Sequence, residues 1–533
     1  MNLKHLKALR VVVSVTVLAC SAALFLDFNN VLPPSFQRAF LSLQFIPSLL
    51  QVTEGVSVLV FGFAAVILLT LLFGRVYCST LCPLGTVQDI VIRFAEKFRG
   101  RRRFRFSRPT YLAHYTLTAI AFAALLVGSL TLLDLLEPFS NFGRVMNDGV
   151  KPVVVALQNA AVWVISRFNP YAVAPLAFPA IAWTSFAVSA ALFLTIVYLS
   201  WQHGRLFCNL LCPAGALLSV LARVSLFKMA MNKPNCSGCA LCEKVCKAQC
   251  IQTDDQKIEF SACVSCFNCM QVCPSVGIEY RTRFHSATRD AMPNEKHRRA
   301  RHTRMKHSAP PIHSDSRRKF FRNVVGSIAG VVGVSAVVGS TLQAKTQPLD
   351  PVTPPGSLGR DHFTSKCTAC HLCVSVCPTQ VLSPGFFEYG LAGLLQPRMN
   401  YDINYCNYDC TLCSDVCPTG AILPVDQPTK KLIQIGKTTF VKDDCIVITK
   451  KKDCAACSEH CPTKAVKMIP YENRFLPEVH NEYCVGCGAC EHACPVTPRK
   501  AIFVAANEIH LAAKPQPAKH QEQRREVLQE FPF

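Results

Sequence analysis

The sequence predicts an α-helical membrane domain of four to five spans joined to α+β bacterial-type ferredoxin domains. Its 533 residues have a positive mean hydropathy of +0.25 although long stretches are polar, so membrane and soluble parts alternate along the chain. Most of the thirty cysteines fall into CxxCxxCxxxC runs. That spacing is typical of iron–sulfur ligands and not of a disulfide framework, so the cysteines are expected to hold metal clusters.

The membrane domain is expected over residues 1–215. Four segments in it are apolar enough and about long enough to span a bilayer: 9–26, 56–73, 111–133 and 184–201. Residues 75–108 carry nine Arg or Lys and two acids, whereas residues 27–55 carry one basic residue, Arg38. The positive-inside rule therefore places the first connection and the N-terminus in the cytoplasm. A further apolar segment, 152–166, is short and contains two amides, which favours an interfacial helix on the outer side.

A basic linker and a second membrane-active segment follow the first cysteine runs. Residues 282–316 are rich in Arg, His and Pro without apolar periodicity, so we expect a disordered linker that holds a membrane segment inside and does not bind nucleic acid. Arg317 and Arg318 then open a Gly/Val/Ala-rich stretch typical of a twin-arginine export signal. Residues 317–344 are therefore predicted to be a signal or fifth anchor, and an ordinary fifth helix would also place 345–533 outside the membrane.

Six groups of four cysteines supply ligands for six [4Fe–4S] clusters. In two-cluster ferredoxins the fourth cysteine of each run ligates the other cluster. Residues 216–281 are thus expected to hold one cluster on Cys236, Cys239, Cys242 and Cys273. The second cluster there is expected on Cys263, Cys266, Cys269 and Cys246. Zinc does not need the third cysteine and the trailing CxxxCP, which argues against zinc sites.

The remaining four runs lie in residues 345–533 and all end in Cys-Pro. The second of them opens with CxxxC and the third has a longer gap after its first cysteine, so these two depart from the simple spacing. They still offer sixteen thiolates for four clusters. The runs are Cys367, Cys370, Cys373, Cys377; Cys406, Cys410, Cys413, Cys417; Cys445, Cys454, Cys457, Cys461; and Cys484, Cys487, Cys490, Cys494.

An internal repeat carries four more cysteines. The segment GRVYCSTLCPLG at residues 74–85 reappears as GRLFCNLLCPAG at residues 204–215. Residues i and i+4 of a helix share one face, so each copy can present two thiols together. One interpretation is a further iron–sulfur site at the membrane surface; the other is a helix-terminating motif whose proline ends the turn and whose thiols are merely buried. The four cysteines are Cys78, Cys82, Cys208 and Cys212.

These motifs resemble those of two known families, one in the first part of the chain and the other in the second. Two CxxxCP copies on four spans, followed by a two-cluster ferredoxin, are similar to the NapH/MauN membrane ferredoxins. A twin-arginine signal followed by four cluster runs is similar to the NapG/MauM periplasmic ferredoxins of nitrate reductase systems. This chain departs from both because they are joined in one polypeptide, which makes the signal internal.

The resemblance implies a quinol dehydrogenase-type electron-transfer protein of the bacterial cytoplasmic (inner) membrane. It implies that electrons pass from the quinone pool to a periplasmic cytochrome or reductase subunit, with the two-cluster domain cytoplasmic and the four-cluster domain periplasmic. In similar four-cluster subunits the outer two runs pair and the inner two pair, and the same nesting is expected here.

Quinol oxidation needs a proton-accepting polar group beside an apolar pocket. Asp134 and Glu137, at the outer end of the third span, and Gln44, in the first outer loop, are the candidate catalytic residues. A membrane ferredoxin for redox-enzyme assembly, maturation or regulation is the alternative function, but it does not obviously need an external four-cluster domain. In either case the sequence shows no redox centre that bridges the cytoplasmic and external clusters.

Overall fold

The computed structural model describes residues 4–28, 30–52, 58–98, 104, 106, 111–169, 173–284 and 350–515. The predicted signal or anchor at 317–344 and most of the basic linker lie outside these residues. The described chain forms a helical domain, a cysteine-rich domain that carries the first two runs (the two-run domain, residues 227–284) and another that carries the last four (the four-run domain, residues 350–515).

The helical domain contains helices of very different length. A π-helical turn, Val145–Val150, joins two of them without a break. The helices are α1 Lys4–Leu26, α2 Pro34–Leu41, α3 Phe45–Gln51, α4 Val58–Phe73, α5 Tyr77–Thr80, α6 Pro83–Phe98, α7 Tyr111–Leu126, α8 Thr131–Leu136, α9 Pro138–Arg144, α10 Lys151–Ser166, α11 Trp183–His203, α12 Leu206–Leu210 and α13 Pro213–Ala222.

Three helical runs in the described residues are long and apolar enough to cross a membrane: His5–Leu26, Pro138–Ser166 and Trp183–His203. The first and third are two of the four predicted spans. The apolar parts of the other two, Phe61–Phe73 and Tyr111–Leu126, are shorter helices. The segment 152–166, expected as a separate interfacial helix, instead continues a 29-residue helical run, because the π-turn carries the helix through the polar residues that precede it.

The chain between α7 and α11 begins and ends on the same side of the helical domain. Before it, the Thr131 hydroxyl donates to the carbonyl of Leu391. After it, the backbone N–H of Ala180 donates to Gln380 Oε1 at 3.2 Å. Because both acceptors belong to the four-run domain, the intervening chain leaves and returns on the same side. Within it, helices α8 and α9 fold back on each other as a short hairpin, in which Arg144 donates to the carbonyl of Asp134. The sequence did not predict this hairpin.

The two cysteine-rich domains combine short helices with two-stranded antiparallel sheets. In the two-run domain the sheets are β1–β4 and β2–β3, and in the four-run domain they are β5–β6, β7–β10 and β8–β9. The strands are β1 Phe227–Met231, β2 Ile251–Gln252, β3 Lys257–Ile258, β4 Ile278–Thr282, β5 Leu382–Pro384, β6 Pro397–Met399, β7 Ile433–Phe440, β8 Val466–Tyr471, β9 Arg474–Val479 and β10 Ile502–Ala512.

Short helices, most of them within the cysteine runs, complete the two domains. The two-run domain has α14 Leu241–Lys244 and α15 Asn268–Val272. The four-run domain has α16 Arg360–Lys366, α17 Leu372–Ser375, α18 Leu412–Asp415, α19 Gln427–Lys430, α20 Ile446–Thr449, α21 Ala456–Glu459 and α22 Ala489–Ala493.

Helix α1 shows that the two cysteine-rich domains lie at opposite ends of the helical domain. Near its start, the Lys7 ammonium donates to Gln271 of the two-run domain. Near its end, Phe25 packs beside Gly143, which lies against the carbonyl of Cys370 in the four-run domain. At a rise of 1.5 Å per residue, Lys7 and Phe25 are about 27 Å apart along the axis. That length is close to the roughly 30 Å of a bilayer's hydrocarbon core.

Candidate iron–sulfur centres

Four cysteine runs share an unusual backbone geometry. In each, the residue before the second cysteine and the residue after it both have positive φ, as Gly238 (67°) and Ala240 (57°) do in the first run. Non-glycine residues rarely adopt this conformation, which costs energy unless the surroundings enforce it. The recurrence indicates loops curled around a bound group. The other pairs are Ser265 and Phe267, Ala369 and His371, and Gly486 and Gly488.

In the two-run domain the cysteines form two groups, each drawn from both runs. A cavity of about 300 Å³ is lined by Cys236, Cys239, Cys242 and Cys273. A second of about 360 Å³ is lined by Cys246, Cys250, Cys263, Cys266 and Cys269. This is the crossed grouping expected of two-cluster ferredoxins. Cys250, which the run spacing leaves over, lies with its sulfur 3.6 Å from that of Cys246.

In the four-run domain the first run groups with the second, and the third with the fourth. The Cys417 thiol interacts electrostatically with Cys370 and Cys373, and Cys377 lines one cavity with Cys406, Cys410 and Cys413. Likewise Cys494 acts on Cys445, and Cys461 acts on Cys484, Cys487 and Cys490. The expected nesting of outer with outer and inner with inner is therefore wrong. Neighbouring runs pair, since each closes its own compact unit.

The surroundings of these sulfurs suit bound iron–sulfur clusters. Within the described ranges, no three His, Cys, Asp or Glu side chains converge tightly enough to hold one metal ion. Backbone N–H groups donate to several of the sulfurs, for example Gly277 to Cys273 at 3.1 Å and Gly486 to Cys484 at 3.4 Å. Such bonds to cluster sulfurs tune the potential of iron–sulfur centres. Burial, and then the neighbouring thiols, raise the pKa of Cys373. A thiolate at this position therefore needs a positive group to stabilise it, and the iron–sulfur core of a cluster is such a group.

The two CxxxCP copies bring all four of their cysteines to one buried cavity of about 270 Å³, lined also by Tyr77 and Pro138. We call this arrangement the CxxxC centre; it comprises Cys78, Cys82, Cys208 and Cys212. All four side chains are buried. Its cavity is similar in size to those of the two-run domain.

The copies are related by an approximate two-fold arrangement in which each arginine reaches across to the other copy. Arg75 donates to the carbonyl of Cys208 at 3.0 Å, and Arg205 donates to the carbonyl of Cys78 at 2.9 Å. Each guanidinium also lies 3.9 Å from the sulfur of the first cysteine in its own copy. Sequence reasoning did not select these arginines, although their matching positions in the repeat were a readable signal.

The glycine that ends each copy is required by this crossing. The N–H of Gly85 donates to the Cys82 sulfur at 3.4 Å, and that of Gly215 donates to the Cys212 sulfur at 3.3 Å. A side chain at Gly85 would collide with the carbonyl of Cys78, and the equivalent clash would occur at Gly215. The repeat therefore allows two helix starts to approach the four thiols closely.

The two buried arginines differ in their counter-charges. Arg205 pairs with Asp89 at 2.9 Å, and the same carboxylate also pairs with Arg10 and, at 3.3 Å, with Lys247. Burial alone would raise the pKa of Asp89, but these cations hold it below its usual value. Arg75 is 1% exposed, and the partners described for it are neutral groups and the Cys78 thiol. A buried guanidinium without a carboxylate indicates an anionic group nearby.

The three candidate catalytic residues are all enclosed in the protein, and Glu137 directly precedes Pro138, which lines the cavity of the CxxxC centre. Asp134, Glu137 and Gln44 are each about 1% exposed. Glu137 accepts from the N–H of Ser140, whereas both carboxylate oxygens of Asp134 and both amide atoms of Gln44 have no hydrogen-bond partner in the described structure. Arg144 donates to the backbone carbonyl of Asp134 at 2.9 Å. Asp134 also acts electrostatically on Cys367.

A polar cavity that sequence reasoning missed lies where α10 meets the four-run domain. It has an empty volume of about 460 Å³ and is lined by Asp148, Lys151 and Gln380, among others. Asp148 accepts from His371, with 3.3 Å between Oδ1 and Nδ1, and Lys151 donates to the carbonyl of Ser375 at 2.5 Å. The histidine within the CTACHLC run was the available signal for a polar contact here.

Two family models match the chain. One, described as a 4Fe-4S binding domain, matches residues 56–105 and 183–234, and so covers both CxxxCP copies. The other, described as a 4Fe-4S dicluster domain, matches residues 366–421 and 452–497. The first of these two stretches holds the first two runs of the four-run domain, in agreement with the grouping of neighbouring runs.

The methylamine utilization ferredoxin-type protein MauM of Methylorubrum extorquens is 31% identical to this chain over 217 residues, which cover 38% of this chain and 94% of MauM. The ferredoxin-type protein NapG of Escherichia coli is 29% identical over 216 residues, covering 38% of this chain and 89% of NapG. An uncharacterized protein of Methanocaldococcus jannaschii is 39% identical over 90 residues, 17% of this chain; the chain spans about a third (35%) of its length.

No solved structure matches the chain. At 31% identity, the match to MauM nevertheless covers 94% of that protein. The chain therefore belongs to the ferredoxin-type proteins of the MauM and NapG kind, and it is an iron–sulfur protein of electron transfer.

Proposed function

We propose that the chain is a membrane-bound protein that oxidises quinol and passes the electrons through [4Fe–4S] clusters to a periplasmic cytochrome or reductase. The observation that carries this proposal is the arrangement of cysteine groups at both ends of a helical domain as long as a bilayer is thick. The relatives are named ferredoxin-type proteins, which supports electron transfer. Quinol as the donor and a periplasmic protein as the acceptor go beyond those names.

The proposed cofactors are six clusters on the crossed cysteine groups and a seventh at the CxxxC centre. Cubane clusters supply one-electron redox centres held by four thiolates. A cluster with four thiolates is anionic, and this is the counter-charge that Arg75 otherwise lacks. The helix-terminating interpretation of CxxxCP explains the prolines, but it leaves a buried guanidinium beside four buried thiols without a reason.

The proposed layout is a bacterial inner-membrane domain at residues 1–215, a cytoplasmic two-cluster domain at 216–281 and a periplasmic four-cluster domain at 345–533. The basic connection 75–108 supports the cytoplasmic side. The linker 282–316 and the segment 317–344 would then carry the chain across to the other face.

Quinol oxidation releases two electrons and two protons, so the donor site needs proton acceptors near a cluster. We assign that role to Asp134 and Glu137, with Gln44 orienting the headgroup. Both carboxyl groups are about 1% exposed, so a quinol bound beside them would meet proton-accepting groups in a site closed to water. The unpartnered oxygens of Asp134 and the unpartnered amide of Gln44 are groups that a quinol hydroxyl can satisfy.

A redox-poised titration of the purified full chain, followed by electron paramagnetic resonance, tests this function. The protein is reduced first with a quinol analogue and then with dithionite, and its iron is counted. We expect about 28 irons, four for each of seven cubanes, and a substantial share of the signal reduced by quinol. Fully loaded clusters that dithionite reduces and quinol does not would exclude quinol as the donor.

A further inference from the structure

We propose that the CxxxC centre is an electron relay inside the membrane, which joins the clusters of the two-run domain to those of the four-run domain. This inference rests on the proposed function only in requiring clusters at the cysteine groups, and it does not depend on quinol as the donor. It supplies the bridge that the sequence alone does not show.

On the side of the two-run domain, the link is a short path of covalent and hydrogen bonds. Asn209 follows Cys208 directly, and its amide nitrogen donates to the carbonyl of Ala262 at 3.2 Å. Ala262 precedes Cys263, a cysteine of the second group. Arg75 joins the same contact, with bonds of 2.7 Å to the Asn209 amide oxygen and 3.1 Å to the carbonyl of Ser261.

On the side of the four-run domain, the link is α9, the second arm of the α8–α9 hairpin. Pro138, at its start, lines the cavity of the CxxxC centre. Gly143 lies so close to the backbone of Cys370 that a side chain there would collide with its carbonyl. The two residues are five positions apart, or about 8 Å along a helix. The hairpin thus leaves only a short, packed gap between the two cysteine groups.

One continuous apolar core fills the whole route. It contains Cys266 of the two-run domain, the CxxxC centre, Phe139 and Phe142 of α9, and Cys370 of the four-run domain. Electron transfer slows steeply as the gap between centres lengthens or opens to solvent, so close packing favours transfer. Each electron that leaves a reduced cluster on one face reduces one oxidised cluster on the other. Because no proton accompanies it, the crossing moves charge across the membrane.

The relay can be tested with the full chain in sealed, quinone-free liposomes. Dithionite, which does not cross the bilayer, is added outside, and bleaching of the cluster absorbance is followed before and after detergent opens the vesicles. With the relay intact, clusters on both faces bleach before detergent, whichever way the protein is inserted. In a Cys78→Ser, Cys208→Ser variant, the clusters facing the lumen should bleach only after detergent.

Cys20→Ser is the matched control, because Cys20 lies in α1 outside every cysteine group. Iron counting should show a loss of about four irons in the double variant and none in the control, so the remaining clusters are intact. Equal bleaching of the double variant and the wild type before detergent would overturn the relay. So would wild-type protein whose lumenal clusters stay oxidised until detergent is added.

A second pair of variants tests the route without removing a ligand. Gly143→Val should push α9 away from Cys370 and slow the bleaching of the lumenal clusters at least tenfold, with an unchanged iron count. Gly149→Val, in the same helical run, has open space around it and should bleach at the wild-type rate. Equal rates for both valine variants would exclude α9 as the route. Failure of quinol to reduce any cluster would refute the donor but leave this result standing.

Discussion

The helical domain is joined to its two cysteine-rich domains in different ways. The junction with the two-run domain is polar: Asp89 gathers three cations there, and Asn209 and Arg75 bond to its backbone. The junction with the four-run domain centres on an apolar contact, with Phe139 and Phe142 packed beside Cys370. It also holds a buried Asp148–His371 pair and, at its rim, the exposed Arg38–Asp415 pair. A buried charge network holds one geometry because any shift leaves charges uncompensated, whereas an apolar contact depends on shape.

The largest expected effect is at the polar junction. Asp89→Asn would leave Arg10, Arg205 and Lys247 buried without their shared counter-charge, which should cost about 3–5 kcal/mol of stability. Chemical unfolding of the two-run domain, followed by loss of cluster absorbance, measures it. Asp255→Asn, at an exposed position, is the control and should change little. A change of under 1 kcal/mol in Asp89→Asn would show that the network does not hold this junction.

The same carboxylate predicts a pH dependence. Because the folded-state pKa of Asp89 lies below its usual value, its contribution is present at neutral pH, above the unfolded pKa. The contribution is lost as the pH falls through the acid range toward the folded pKa. Wild-type stability should therefore drop more steeply than that of Asp89→Asn below about pH 4. Parallel curves for the two proteins would contradict this.

The next effect concerns the enclosed polar residues near the apolar junction. Asp134→Asn should lower quinol-driven reduction of the clusters about 100-fold, in the range of general base catalysis, and leave dithionite reduction unchanged. Stopped-flow absorbance with each reductant measures both. Lys151→Met is the comparison, because Lys151 lines the polar cavity at this junction. A loss confined to Lys151→Met would move the donor site to that cavity.

A smaller effect distinguishes the two arginines of the repeat. Arg75→Gln removes the positive charge that faces the CxxxC centre without a carboxylate, so its cluster should become harder to reduce. We expect the midpoint potential to fall by about 60 mV, a tenfold change for a one-electron couple. A redox titration monitored by electron paramagnetic resonance measures the shift. An unchanged potential in a fully loaded variant would argue against an anionic group beside Arg75.

The smallest effect is at the rim of the apolar junction. Arg38 and Asp415 form an ion pair of 2.8 Å, with the arginine side chain 45% exposed. Exposed pairs contribute about 0–1 kcal/mol, so Arg38→Ala should leave both stability and the rate of transmembrane reduction nearly unchanged. Thermal unfolding and the vesicle assay check this together. A loss as large as that of Asp89→Asn would mean that the two junctions are not built differently.

The sequence predicted what depends on local spacing. The crossed grouping in the two-run domain was expected from the rule for two-cluster ferredoxins, because only two runs are present there. The shared site of the two CxxxCP copies was one of two interpretations of the repeat. It did not predict the pairing of neighbouring runs in the four-run domain, because ligand spacing within a run does not depend on which run lies beside it. The resemblance suggested the wrong nesting.

Features that depend on contacts between distant segments were also missed. The α8–α9 hairpin has no distinct hydropathy signal, since its return arm merges with the apolar helix 151–166 through a π-turn. The shared role of Asp89 depends on Arg10 and Lys247, which lie 79 and 158 positions away in the chain. Such charge clusters form only when the chain has folded, and no local pattern marks them.

The most direct test of the account is the iron and sulfide content of the wild-type chain beside a Cys78→Ser, Cys208→Ser variant, both purified anaerobically. Seven clusters predict about 28 irons in the wild type and about 24 in the variant, with the six remaining clusters still visible by electron paramagnetic resonance. About 24 irons in both proteins would show that the CxxxC centre holds no cluster, and the continuous path across the membrane would then be excluded.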